Sequence, residues 1–271
     1  MAAVAALALT SPAGWAQPAP RGLASEASVR AEVARTLQRL YGTDAALDAR
    51  VRATYGKPLA PAQAAVAKHH MRRLVRHPRF SDLLTEVLLQ ADRQRLNPVE
   101  TAQAVQDALS QLQTRGLRRL PREQQAVLVA HFVAVGRHMD YIDCKRLFTG
   151  QLSLYQVSQQ EQAYMAGLAA EPFERIATVY ADASLAELEQ SPAVVVIDAE
   201  HARAAHDAAR LAGARALWNR LPVEVVQAYL TDPASVSPRD ACDVNLIAMA
   251  SMLDLAEPYR TWRIALFIDR F

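Results

Sequence analysis

One run of β-branched residues, Val194-Val195-Val196-Ile197 between Pro192 and Asp198, is all that this 271-residue chain offers as a β-strand. A strand by itself leaves its backbone N–H and C=O groups unpaired and needs a neighbour of its own kind. The chain offers no second run of that character, so the segment reads as an extended connector and the fold class reads as all-α. Composition agrees. Alanine supplies much of a hydrophobic fraction of 51%, and glycine numbers only nine. Alanine has the highest helix propensity of any residue.

Apolar periodicity and end signals divide the chain into a bundle or array of about ten helices. Phe80, Leu83, Leu84, Val87, Leu88 and Ala91 form one helical stripe, predicting a helix from about Phe80 to Leu96. Asn97 then offers an N-cap, Pro98 the first helical position and Glu100 the N3 carboxylate. The helix so opened carries Val105, Leu109 and Leu112, runs to Arg115 and is closed by Gly116. Pro121 opens another, with Leu128, Phe132, Val135 and Met139 on one face. Ser158-Gln159-Gln160-Glu161 and Ser184-Leu185-Ala186-Glu187 fit the capping-box pattern and predict two more helix starts. Before these, two short helices end at Tyr41-Gly42 and Tyr55-Gly56, and a third runs from Pro61 to His77.

Ala199 to Leu221 reads as an alanine-rich helix whose stripe of Ala202, Ala205, Ala209, Ala212 and Ala216 admits a close neighbour. Ser237 and Pro238 open a helix with Val244, Leu246, Ile247, Met249, Met252 and Leu253 around it, and Pro258 opens the last one. These features predict a hydrophobic core lying late in the chain. Long Gly/Ser/Pro linkers are missing, which predicts a single helical domain over 20–271 with room for an N-terminal sub-lobe over 24–116.

The first sixteen residues carry no charged side chain. An apolar run from Ala2 to Leu9 leads to Gly14 and Ala16, small residues suited to signal-peptidase pockets. Residues 1–19 therefore read as a signal-peptide-like or disordered segment cut after Ala16, which predicts a periplasmic protein. The short apolar core and the lack of Lys or Arg ahead of it keep a cytoplasmic protein as the alternative. No later apolar run approaches the ~20 residues that span a bilayer, so no stable membrane insertion of the mature chain is expected. In an oxidising compartment Cys144 and Cys242 pair with each other. The aspartates flanking them would make poor nucleophiles of either thiol, although Lys145 and Arg146 oppose this at Cys144.

Catalytic and cofactor signatures are missing. The chain contains no G-x-G, no phosphate-loop glycines, no G-x-S-x-G, no H-E-x-x-H and no C-x-x-C. No cofactor, metal or catalytic set is expected on that basis. His70 and His77, like His131 and His138, stand seven apart, and two such pairs could in principle offer four nitrogens to a metal. The cations around His69 and His70 oppose this, and the histidines read as solvated or capping groups. Asp198, Glu200, His201, His206 and Asp207 do not share one helical face.

The strongest charge feature is the Lys68 to Arg79 segment, with Lys68, Arg72, Arg73, Arg76 and Arg79, and with Ala67, Met71 and Leu74 marking its buried side. Such a cluster can receive an anionic partner, or it can be a solvated face. Aromatic residues for base stacking are not interleaved, and the net charge is only +2, so no nucleic-acid partner is expected. Together these readings predict an exported, non-catalytic helical protein that binds another macromolecule, most simply a protein. An envelope scaffold, a secretion accessory or an immunity-type inhibitor would fit. The alternative is an envelope hydrolase active on peptidoglycan, with Glu161 beside Tyr155 and Tyr164 as its acid. Oligomeric state is left open.

Overall fold

The computed structural model describes residues 25–269; the signal-like segment 1–19 lies outside them. Among the described residues there are thirteen helices and no β-strand. The chain divides into two compact units. One, over 25–119 and 165–193, holds α1 (Glu26–Tyr41), α2 (Asp44–Tyr55), α3 (Pro61–Arg76), α4 (Pro78–Arg93), α5 (Pro98–Leu117) and α9 (Ala170–Glu189). The other, over 120–164 and 194–269, holds α6 (Arg122–His138), α7 (Tyr141–Phe148) and most of α8 (Leu154–Ala166). It also holds α10 (Ala199–Arg220), α11 (Val223–Thr231), α12 (Pro238–Ala250) and α13 (Tyr259–Ile268).

Thirteen helices slightly exceed the expected number of about ten; α7 and α11, at 8 and 9 residues, are too short for a 3.6-residue period to register and account for two of them. The longer helices start where their caps say. Asn97 Oδ1 accepts from the N–H groups of Val99 and Glu100, while Glu100 Oε2 accepts from Asn97 N at 2.8 Å. Two expected starts are corrected. Ser158 and Ser184 both lie inside helices, α8 and α9. The box that opens α8 is Ser153 with Gln156, whose Oε1 accepts from Ser153 N at 3.0 Å. Ser184 is buried, and its hydroxyl donates to the Tyr180 carbonyl at 3.1 Å, which lets a serine sit in mid-helix. The 194–197 segment has no ladder, as its isolation predicts.

The expectation of a core confined to the late chain is also corrected. The largest fully buried side chains include Phe80, Phe173, Leu47, Met71 and Leu84 in the first unit, with Leu128 and Ile268 in the second. Each unit has to bury its own apolar faces. Helix α12 is apolar around its circumference because α6, α7, α10 and α11 all pack on it.

In the first unit α5 and α9 pack closely together at Gly116. It is not a stop signal: α5 continues to Leu117, and Gly116 is buried. A Cβ on Gly116 would overlap the carbonyl oxygen and carbon of Ala183 in α9. Backbone cannot swing aside as a side chain can. Gly116→Ala is therefore expected to destabilise the protein by about 2–3 kcal/mol, despite alanine's better helix propensity. Chemical denaturation would measure it, and an unchanged or raised midpoint would refute the close approach. Beyond α5, Arg119 fastens the far ends of the pair. Its guanidinium donates to Glu187 Oε2 at 2.7 Å, Gln190 Oε1 at 2.6 Å and the Pro192 carbonyl at 3.0 Å.

Candidate functional site

The cysteines do pair. Asp140 caps α7, accepting from Asp143 N, and so sets Cys144 in the first turn. Ser237 caps α12 and sets Cys242 in the same way. The Cα atoms are 5.5 Å apart, and both residues are buried beside Val135, Met139 and Leu246. Next to the bridge, Lys145 Nζ donates to the carbonyls of Ala234 and Val236 at 3.0 and 2.8 Å, tying α7 to the loop that enters α12.

Glu161 belongs to the interior of the second unit. Its Oε1 stands 2.7 Å from His131 Nε2, with the two side chains 1% and 0% exposed. Contact at that distance between a ring nitrogen and a carboxyl oxygen requires one proton between them. Tyr164 lies over the imidazole at 5.7 Å, and His138 packs on the same phenol ring at 5.4 Å. Tyr155, the other aromatic named with Glu161, is 69% exposed and so stands apart from it. An acid working on a polymer must meet both substrate and water. Here the carboxyl faces an imidazole inside the core, an arrangement that specifies packing.

The basic cluster of α3, with Arg79 in the first turn of α4, is largely spent on the protein itself. Lys68 Nζ pairs with Asp48 at 2.8 Å and Arg72 with Asp44, both on α2. Arg73 pairs with Asp182 of α9 at 3.3 Å, and Arg79 donates to the Leu188 carbonyl at 2.8 Å. Met71 and Leu74 point inward, 1% and 2% exposed. Among the described residues Arg76 and Arg79 of the cluster are exposed without an acid partner, Arg79 having only the Leu188 carbonyl. The cations thus clamp α3 to its neighbours on both sides. Reversing Arg72 and Arg73 to Glu would set carboxylates against Asp44 and Asp182. That change is expected to lower stability by about 1–2 kcal/mol, and Arg76→Glu by less than about 0.5 kcal/mol. Equal melting temperatures for the two variants would refute the clamp.

The histidines divide between the units and do not converge. Among the described residues no three His, Cys, Asp or Glu side chains come together in a way that could hold a metal. His201 serves the start of α10: its Nδ1 is 2.6 Å from Asp198 Oδ2, and its ring lies over Trp262 at 4.3 Å. Capping duty accounts for Asp198, whose carboxyl is held below its ordinary range by the backbone N–H and ring of His201.

His70 is different. It is 5% exposed, its Nε2 is 3.3 Å from Thr178 Oγ1, and its Nδ1 is buried without a hydrogen-bond partner. Burial, then the charges of Arg73 and His69, push its pKa down to about 4, against a weaker pull from Asp182. The folded state therefore holds His70 neutral where the unfolded chain would protonate it. Its contribution is intact above pH 6.5 and is lost as pH falls from 6.5 towards 4, by an amount on the order of 2 kcal/mol. His70→Gln should flatten the stability–pH curve across that window. A slope identical to that of the native chain would refute the assignment.

One surface escaped the sequence reading, which saw only the alanine stripe of α10. That stripe is indeed the inner side, with Ala205, Gly213 and Leu217 buried. On the opposite side Leu211 is 54% and Trp218 46% exposed. Their seven-residue spacing was the signal available, because two large apolar residues that far apart share a helical face. Comparison of the chain with protein-family models, with curated proteins and with solved structures finds no match, so these local geometries alone carry the functional reading.

Proposed function

We propose that this chain is an exported, non-catalytic helical protein that acts in the bacterial periplasm by binding another protein. The observation that carries the reading is the outward face of α10, where Leu211 and Trp218 stand in solvent two turns apart. Single exposed apolar residues are ordinary. A tryptophan aligned with a leucine on one rigid helix, bordered by arginines, has the composition of an interface anchor. The buried Cys144–Cys242 bridge supports the compartment, since disulfides persist where thiols are not kept reduced. On α3, Arg76 is the cation left to meet an anionic partner directly; Lys68, Arg72, Arg73 and Arg79 would first have to give up intramolecular contacts. No helix among the described residues is long and apolar enough to cross a membrane.

The test is performed in cells on the full chain carrying a C-terminal tag. Osmotic shock should release it with a mature N-terminus near Gln17 and no free thiol. Crosslinking before lysis should yield one discrete adduct with a second protein, competed away by the untagged chain. A full-length, reduced, cytosolic product would overturn the compartment. Absence of any adduct, or turnover of a peptidoglycan substrate, would overturn the binding reading.

A further inference from the structure

The outward face of α10 has enough chemistry to specify its occupant. Ala204, Asp207, Leu211, Ala214 and Trp218 recur at alternating intervals of three and four, the spacing of a coiled-coil seam. The two alanines leave depressions, and Leu211 and Trp218 stand out as knobs. The 3.6-residue period places Arg203 and Arg210 along one border of this seam and Arg215 along the other. The acids of the face are few. Glu200 lies in the first turn, and Asp207 is already engaged by Arg210 at 3.6 Å. Arg203 Nε donates only to the Ala199 carbonyl, at 3.3 Å, and Arg215 has no acid partner among the described residues. This is the reverse of α3, whose cations are mostly neutralised from within.

We infer that this face docks an acidic amphipathic helix of a protein partner, with apolar residues on the seam and Glu or Asp along its borders. The inference rests on the binding reading above and supplies its surface and its partner chemistry. Arginine suits the task, because its planar fork grips a carboxylate through two N–H groups. A membrane-surface helix would present a broad apolar face with several large residues. Here the apolar stripe is one residue wide, the width of a single helix ridge. A second copy of the chain would bring the same excess of arginine to the interface.

The experiment uses the oxidised full chain and two labelled synthetic peptides of about 20 residues. Both carry leucine at the seam positions; one has glutamate at the flanking positions and the other lysine. The glutamate peptide should bind saturably and shift the fluorescence of Trp218, and the lysine peptide should not bind. Leu211→Ala or Trp218→Ala should weaken binding by roughly tenfold or more without moving the melting temperature, since both side chains are exposed. Arg203→Glu with Arg215→Glu should transfer the preference to the lysine peptide. Failure of the glutamate peptide to bind at about 100 μM, equal binding of both peptides, or indifference to the Leu211 and Trp218 variants would each overturn the inference. So would binding to anionic phospholipid vesicles in place of the peptide, or concentration-dependent dimerisation abolished by Leu211→Asp. If the adduct formed in cells survives Leu211→Ala/Trp218→Ala, this surface is wrong while the binding reading stands. If no adduct forms in cells, that reading falls whatever the peptides do.

Discussion

Replacing Glu161 by alanine is expected to cost about 3–5 kcal/mol of stability, the range for removing one partner of a buried polar pair. Its carboxyl and the His131 imidazole are 1% and 0% exposed and 2.7 Å apart, so no water is at hand to take the place of the lost oxygen. For a chain of this size the loss corresponds to a drop in melting temperature on the order of 10 °C. Glu161→Gln, which keeps an oxygen near the imidazole, should cost distinctly less. Replacing both residues together, Glu161→Leu with His131→Leu, should cost less than the sum of the single changes, because neither polar group is then stranded. The series separates the two roles a buried carboxyl can have. A catalytic acid contributes to rate and is dispensable for folding, whereas this pair contributes to folding. A melting temperature within about 2 °C of the native value for Glu161→Ala would contradict the structural role and reopen the hydrolase reading.

The pair also shows where sequence reading stops. Glu161 attracts notice as a carboxylate between tyrosines, but His131 lies 30 residues away on another helix. Nothing local says that the two meet. The same limit applies on α3, where the spacing of Lys68, Arg72 and Arg73 gives the face but not Asp44, Asp48 and Asp182, which neutralise it from α2 and α9. Local chemistry was legible wherever it acts within one turn. Asn97 with Glu100 and Ser237 with Pro238 both cap the helices they precede. It misled where a local pattern has two uses: Ser184-x-x-Glu187 satisfies the capping-box formula but lies inside α9, because the serine can bond back to Tyr180. Gly116 misled in the same way, since glycine serves both to end helices and to let them touch.

Reduction of the Cys144–Cys242 bridge should produce a loss of similar size by a different route. The bridge closes a loop spanning 98 residues. In the chain-entropy model, opening a loop of that length releases about 4–5 kcal/mol to the unfolded state. The folded state should keep its helices, because α7 and α12 each retain their own cap, at Asp140 and Ser237. Lys145, bonded to the carbonyls of Ala234 and Val236, still fastens α7 to the approach of α12 after reduction. The expected result is thus a large fall in melting temperature with nearly unchanged far-ultraviolet circular dichroism at 25 °C. Cys144→Ala with Cys242→Ala should reproduce it without reductant. Adding Lys145→Met to that pair should deepen the loss and raise amide exchange in α7 first. A double-alanine variant as stable as the oxidised protein would show that the bridge constrains little. A chain isolated from its native cells with both thiols free would show that the bond does not form where the protein works, and the periplasmic reading would lose its chemical support.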